Sequence, residues 1–488
     1  MLLDKIQQFV HILSNKKLQM SEKNQKKGLD VNAKMFLTAM IIIFALMCAT
    51  YALTFIVPSG EYARVVDANG DTVIDTAGGF QYVAGGMPFW KWILSPFLVL
   101  VAEGSGTILG VIAFLLVIGG IFNGLEKCGL MQYMLDKIVD RFGASKYRLM
   151  AIIIFFFMML GSFIGSFEEC VPLVPIVVGL SISLGWDDLT GLGMSLLAIG
   201  CGFAAGICNP FTVGVAQNLV GLPMFSGMWL RCVSFVVVYL LLLVFVRRHA
   251  KKVEKPLHAT ATLNQFVPNE KKDKALTYFG GILLVGIIIV FSSVFITVLQ
   301  DLTMIIVALM FLVAGIISIL TTGMSAKEMG VYFWNGLTSI FPAVLMILMA
   351  SSIKYTLVEA KILDTLLHSA VGIAETLPKA VVILFVYFIV LAMNFFISSG
   401  SAKAFLLMPL IVPLAQIFDI SAQLCVMAFA FGDGFSNVLY PTNPVLLISI
   451  GLANVSYVKW FKWTWKFQLM NIVVTSLLLL VGLAIGYR

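Results

Sequence analysis

Long apolar runs separated by short polar clusters set the pattern of this chain. Stretches 35–57, 107–125, 277–297, 303–322 and 469–487 are each apolar over a length that crosses a hydrocarbon core of about 30 Å as a helix. Segments 233–247 and 341–358 are predicted to span as well. Open sheet edges cannot be satisfied in lipid, so the pattern predicts an all-α integral membrane protein. Between the runs, 58–90 is rich in Gly and Asp and predicts turns or a short hairpin around Ala68-Asn69-Gly70-Asp71. Residues 91–106 open on Trp90-Lys91-Trp92 and break at Glu103-Gly104-Ser105-Gly106. Residues 126–148 alternate charged and apolar positions at helical spacing, as does 359–378, which predicts helices lying on the membrane surface.

Two apolar regions are interrupted at their centres. Region 149–187 reads as a re-entrant hairpin with arms 149–164 and 171–184 around a tip at 165–170. Two full spans meeting at that tip are the alternative, which would put Glu168 and Glu169 at the outer surface. The next run, 190–224, breaks at Cys208-Asn209-Pro210-Phe211-Thr212. The second half repeats this order with hairpin 380–418 and broken span 422–456. Gly200-Cys201-Gly202-Phe203 leads to Asn209-Pro210, and Gly432-Asp433-Gly434-Phe435 leads to Asn443-Pro444. At an offset of 234, Pro175 meets Pro409, Leu180 meets Leu414, and Trp229 meets Trp463. Broken helices at matching places in two halves point to the binding site of a secondary transporter. The predicted units are an N-terminal segment 1–34, a first repeat 35–247, a linker 248–276 and a second repeat 277–488. Scaffold helices occupy 35–148 and 277–358. Hairpin and broken helix occupy 149–224 and 380–456.

Charge orients the halves. The composition, 60% hydrophobic and 12% charged, excludes an ordinary soluble protein. Residues 1–34 carry seven Lys against three acids, and 247–276 carry eight Lys/Arg against three acids. Segment 58–90 has Arg64 against Glu61, Asp67, Asp71 and Asp75. The positive-inside rule therefore puts the N-terminus and linker in the cytoplasm and 58–90 outside. Segment 126–148 is net positive, whereas its partner 359–378 is net negative; Lys459, Lys462 and Lys466 oppose a single Arg231 in 225–232. The repeats are thus predicted to be inverted, with the C-terminus external. Arg231 and Lys354, near span ends, are expected to snorkel. Trp460, Trp463 and Trp465 are expected to anchor at the interface, with no nucleic-acid role. The first long apolar run itself qualifies as a span, so no cleavable leader is expected, and Met20 is an alternative start to Met1.

The candidate chemistry sits at the tips and breaks. Gly165, Ser166, Asn209, Thr212, Ser398, Thr442 and Asn443 are candidate ion ligands, an oxygen-rich set that suits a hard cation such as Na⁺. Asn-Pro and Gly as mere packing kinks are the alternative. Candidate cargo ligands are Glu168, Glu169, Ser166, Asn209, Ser399, Ser401, Lys403, Asp433 and Asn443. Adjacent carboxylates inside apolar sequence point to function. Their open roles are holding a cationic cargo, carrying a proton or holding a cation. Lys403 would meet a cargo carboxylate or pair with Glu168 or Glu169. Asp433 would take an ion or an ammonium, or serve structure. Carboxylates at one tip and an ammonium at the other suit a basic amino acid better than a dicarboxylate. Cys48, Cys201, Cys208 and Cys425 read as small core residues, with no metal site or disulfide. His11, His249, His258 and His368 lie outside the predicted spans, and no nucleotide-binding or zinc motif is present. An enzyme is not expected; transport is expected to run on an ion gradient (Na⁺ or H⁺) or on exchange, with no cofactor. An open channel or a sensor is the reading from another class.

Four motifs together resemble the YfcC-type branch of the C4-dicarboxylate anaerobic carrier family, within the ion transporter superfamily. They are Val57-Pro58-Ser59-Gly60-Glu61-Tyr62, Gly165-Ser166-Phe167-Glu168-Glu169, Asn209-Pro210-Phe211-Thr212 and Tyr440-Pro441-Thr442-Asn443-Pro444. The resemblance covers about 35–487. It implies a bacterial inner-membrane carrier of small molecules, a homodimer built on scaffold helices, and an elevator-type transport domain of two hairpins and two broken helices. Superfamily members with known sites carry Ser-Asn-Thr signatures at the tips. This chain has Glu168-Glu169 and Ser401-Ala402-Lys403 there instead. Some relatives are similar to arginine/ornithine exchangers; a Na⁺- or H⁺-coupled dicarboxylate or other organic-anion carrier is the alternative.

Overall fold

The computed structural model describes residues 33–66, 72–75, 78–102, 105–165, 167, 170–255, 267–292, 297–374 and 377–488. Among them, seven helical runs are long and apolar enough to cross a membrane. Helix α1 (Ala33–Ile56) leads into four short strands, β1 (Gly60–Tyr62), β2 (Arg64–Val66), β3 (Thr72–Ile74) and β4 (Phe80–Tyr82). β1 pairs antiparallel with β4, Glu61 opposite Gln81, and β2 with β3, Val65 opposite Val73. Then follow α2 (Phe89–Leu98), α3 (Ser105–Lys127), α4 (Leu130–Phe142), α5 (Lys146–Met159), α6 (Leu173–Ser183), α7 (Asp188–Leu192), α8 (Ala198–Ala205), α9 (Val215–Leu219) and α10 (Met228–Val253). The second half holds α11 (Glu270–Ser292), α12 (Thr297–Thr321), α13 (Ala326–Ser339), α14 (Phe341–Glu359), α15 (Leu363–Ala374), α16 (Lys379–Asn394), α17 (Gly400–Ile417), α18 (Ala422–Ser436), α19 (Pro444–Leu452) and α20 (Tyr457–Ala484).

Polar contacts gather the helix ends into two groups. In the first group, Lys146 reaches Glu254 at 2.5 Å and the Leu184 carbonyl at 3.3 Å, so the start of α5 touches the end of α6. The Lys255 amide donates to the Gly185 carbonyl at 2.8 Å, and Lys459 pairs with Asp188 at 2.8 Å. Asp187 caps α7 and also bonds His249 at 3.0 Å. Burial pushes the Asp187 carboxyl up, but hydrogen bonds with His249 and Thr190 outweigh it and hold it at about 2. In the second group, Lys379 pairs with Asp419 at 3.2 Å, which ties the start of α16 to the end of α17. Ser421, the cap of α18, donates to the Tyr487 carbonyl at 2.5 Å, and Gln217 donates to Gln423 at 2.8 Å. Helix α10 runs from the second group to the first over 26 residues, about 39 Å. Helix α20 runs the other way.

The two broken helices cross at small residues. A methyl on Gly434 would stand 2.3 Å from Ala204 Cα, and one on Gly200 would stand 2.5 Å from Val438 Cγ1. At the offset of 234, Gly200 corresponds to Gly434 and Ala204 to Val438. Each position therefore touches the counterpart of its neighbour, which requires the two segments to pass in opposite directions. Glycine also lets α5 and its following turn close onto α8, at Gly161 and Gly202, and lets α16 close onto α18 at Gly432.

Several expectations change. Helix α10 continues to Val253 and α11 begins at Glu270, which shortens the linker. Arg247, Arg248, Lys251 and Lys252 extend the helix because basic side chains suit a helix C-terminus. Helix α13 was not read from sequence; Ser325 and Glu328 form its capping box. Cys48 is exposed rather than packed in the core. The two segments that charge placed outside, 58–90 and 359–378, meet directly: Asp364 accepts from the Tyr62 amide and Arg64, both at 2.9 Å. His11, His258, Asp67, Asp71 and the expected turn at 68–71 lie outside the described residues.

The crossing yields a prediction. Gly434→Ala is expected to destabilise detergent-purified protein by about 1–3 kcal/mol in thermal melts. Gly280→Ala, whose methyl meets nothing within 4 Å, is expected to leave the melting temperature unchanged or slightly raised. Equal shifts would contradict the packing described.

Candidate functional site

The two breaks share one local design. Asn209 sits at φ −62°, ψ 112° and its Oδ1 accepts from the amides of Phe211 and Thr212 at 3.0 and 3.3 Å. Asn443 sits at φ −84°, ψ 115° and accepts from Val445 and Leu446 at 2.9 and 3.4 Å. Proline follows each at the first helical position, where no amide is needed. Asparagine can supply the cap because its short side chain reaches the next two free amides. Upstream, Gly206 ends α8 with φ +42°, a conformation that favours glycine.

The peptide groups freed by the breaks are largely met by side chains of the protein. Ser162 Oγ accepts from the Ile207 amide at 2.9 Å, and the Ser162 carbonyl accepts from the Cys208 amide at 3.1 Å. Arg231 donates to the Ile207, Phe225 and Ser226 carbonyls at 3.0–3.4 Å. At the second break, Trp460 Nε1 donates to the Val438 carbonyl at 2.8 Å, Tyr457 to Leu439 at 2.9 Å and Gln468 to Phe435 at 3.2 Å. This corrects two expectations. Arg231 is fully buried and does not snorkel, because three carbonyls hold it. Trp460 is fully buried and is no interfacial anchor, because its indole serves the break; Trp465 is exposed.

A buried polar network joins the second hairpin to the second break. Lys403 Nζ lies 2.5 Å from Asp433 Oδ1 and also bonds Asn394 Oδ1. The Asn394 amide donates to the Asp433 carbonyl at 2.9 Å, Ser436 Oγ at 2.6 Å and Asn437 Oδ1 at 2.9 Å. Asn443 Nδ2 donates to Asn437 Oδ1 at 3.0 Å and closes the chain. Lys403 pairs with Asp433 because α18 passes beside the start of α17; Glu168 and Glu169, its partners as considered from sequence, lie outside the described residues. Asn394, Ser436 and Asn437 were missed from sequence; a polar residue ending an apolar helix such as α16 was the available signal.

Both tips reach the first break. Gly165, at φ +69°, lies so close that a methyl there would stand 2.1 Å from Asn209 Oδ1. A methyl on Gly400 would stand 2.6 Å from both Asp433 Oδ2 and Thr212 Cγ2. Gly165, Asn209, Thr212, Gly400, Asp433 and Lys403 thus form one contiguous group, and Asn443 joins it through Asn437 and Asn394. Asn209 Nδ2, Thr212 Oγ1, Asp433 Oδ2 and Thr442 Oγ1 are buried without a partner among the described residues. Such atoms cost free energy unless a ligand or water serves them. Ser399 caps α17, accepting from the Ala402 amide at 3.4 Å, and Ser398 and Ser401 are half-buried. Ser166, Glu168 and Glu169 lie outside the described residues. The unserved atoms offer a donor pair for a carboxylate, Asn209 and Thr212, and an anionic acceptor for an ammonium, Asp433.

The pair makes a stability prediction. Lys403→Met leaves Asp433 charged and buried alone and is expected to cost about 3–5 kcal/mol in thermal melts. Lys403→Met with Asp433→Asn removes both charges and is expected to recover most of that loss. A single variant no worse than the double would contradict the pairing.

A family model described as C4-dicarboxylate anaerobic carrier matches residues 36–484. YfcC of Escherichia coli strain K12, provisionally described as a basic amino acid antiporter, is 29% identical over 406 residues, spanning 78% of this chain and 79% of that protein. An uncharacterized protein of Haemophilus influenzae is 22% identical over 503 residues, spanning 92% of this chain and 97% of that protein. The YdaH transporter of Alcanivorax borkumensis, at 18% identity and a TM-score of 0.45, covers 92% of this chain and 99% of that structure, a likeness too loose to carry an argument.

Proposed function

The chain belongs to the C4-dicarboxylate anaerobic carrier family and is a multi-pass membrane transporter, not an enzyme; from that premise we propose that it exchanges basic amino acids such as arginine and ornithine. The single observation that carries the cargo is the internal pairing of Lys403 with Asp433. That pairing leaves no free lysine at the second tip for an anion. The charged residues about the tips and breaks are then Glu168 and Glu169, the neutral pair, and Arg231 beside the first break, which together leave one net negative charge. A basic amino acid carries one net positive charge and also presents a carboxylate for Asn209 and Thr212. A C4-dicarboxylate adds two negative charges to a site that is already negative. It is the competing cargo, with Na⁺ or H⁺ coupling, because the family is described by it.

The proposed machine has two inverted repeats, 35–247 and 277–488, in the bacterial inner membrane with the N-terminus cytoplasmic and the C-terminus external. The opposed run of α10 and α20 and the reciprocal crossing of Gly200 and Gly434 support the inversion. Both hairpins start and end in one polar group, Lys146 with the Leu184 carbonyl and Lys379 with Asp419, which supports re-entry. Elevator movement of hairpins and broken helices against the scaffold is supported by an apolar crevice. Ile118, Phe122 and Ile340 line its scaffold side, and Pro172, Pro175 and Leu452 line the other. Apolar contacts slide without breaking fixed hydrogen bonds. A homodimer through the scaffold helices completes the proposal.

Proteoliposomes loaded with unlabelled arginine are expected to accumulate labelled arginine, ornithine or lysine, and excess succinate or fumarate is expected to leave this uptake unchanged. Asn209→Ala, or Glu168→Gln with Glu169→Gln, is expected to slow it at least about tenfold, the loss of one charge-assisted hydrogen bond. Fumarate uptake without arginine uptake would overturn the cargo. Undiminished exchange in the double Gln variant would remove the glutamates from the site.

A further inference from the structure

At the second break, the oxygen ligands that a small cation would use are already occupied by the chain. Lys403 Nζ is bound by Asp433 Oδ1 and Asn394 Oδ1, and all three residues are buried to 2% exposure or less. They come from three elements, α16, α17 and α18, so the ammonium joins both arms of the hairpin to the helix before the break. The Asn394 amide is engaged by Asp433, Ser436 and Asn437, which leaves its oxygen turned to the ammonium. One full negative charge and a neutral amide oxygen in a dry interior describe a monovalent cation site. The ammonium fills it with charge and hydrogen bonds at once.

Among its described residues, the first half has no such arrangement. At the offset of 234, Asn394, Asp433 and Asn437 correspond to Leu160, Ile199 and Phe203, all buried and apolar. There the unserved atoms are Asn209 Nδ2 and Thr212 Oγ1. Two breaks of the same local design thus differ in how a buried cation is held: Arg231 rests on backbone carbonyls at the first, and Lys403 on the side-chain oxygens of Asp433 and Asn394 at the second.

We propose that Lys403 is a tethered cation, its ammonium standing permanently where a soluble monovalent cation would otherwise bind at the second break. That half of the site then draws no ion from solution, and Asp433 Oδ2 remains free toward Gly400 and Thr212. The consequence for transport rests on the carrier reading; the binding claim does not.

The test uses purified full-length protein without cargo. Melting temperatures of wild type and Lys403→Ala are compared in sodium chloride and in choline chloride at equal ionic strength. Removing the ammonium leaves the Asp433 and Asn394 oxygens to sodium. The sodium-minus-choline difference is expected to be roughly 2–4 °C larger in the variant than in wild type. An equal difference in the two proteins overturns the proposal. Should Lys403→Ala not be recovered folded, Lys403→Gln, which keeps bulk and removes charge, is read in the same way. A protein that fails to exchange arginine still gives this comparison, so the two proposals fail separately.

Discussion

A peptide group that leaves a helix inside a bilayer must find another partner, and the two breaks of this protein are arranged around that requirement. The chain meets it in layers. Asn209 and Asn443 cap the amides of the helix that follows, over two residues of sequence. Arg231, Trp460, Tyr457 and Gln468, from helices α10 and α20, take the exposed carbonyls. Among the described residues, Asn209 Nδ2, Thr212 Oγ1 and Asp433 Oδ2 are left over around Gly165 and Gly400, and Thr442 Oγ1 is left over at the second break. A site emerges as what the scaffold leaves unsatisfied, so its polarity is specific rather than diffuse.

Close packing holds those atoms in register. Where the broken helices cross, Gly200 and Gly434 admit the opposing segment at a distance no other residue allows. Gly165 and Gly400 do the same at the tips, against Asn209 and against Thr212 with Asp433. Small residues therefore set the geometry, and large apolar side chains fill the space around it. The crevice between Ile118 and Pro172 is lined almost entirely by apolar side chains. Firm contacts within the site and apolar contacts beside it suit the proposed elevator movement.

How far the sequence could be read depends on how local each cause is. The breaks were legible because Asn followed by Pro acts within two residues. The second break was legible because the same device recurs at an offset of 234. Helix α13 was hidden by Lys327, Glu328 and Asn335, which dilute its apolar character although a capping box starts it. The partner of Lys403 was hidden because Asp433 is 30 residues away and only packing brings it close. Arg231 and Trp460 were misassigned for a related reason: their position near span ends suggested water, while their real partners are carbonyls freed elsewhere in the chain. The pairing of Arg64 with the buried Asp364, which joins 58–90 to 359–378, was likewise invisible because 300 residues separate the partners.

The central claim is that two tips and two breaks enclose one pocket in which Asn209, Thr212 and Asp433 meet a cargo with charges of both signs. A structure of the protein determined with arginine tests it most directly. The account predicts density between Gly165 and Gly400, with a carboxylate in hydrogen-bond reach of Asn209 Nδ2 and Thr212 Oγ1 and an amino group in reach of Asp433 Oδ2. Density seated in the crevice between Ile118 and Pro172, or bound arginine with none of these three residues touching it, would contradict it.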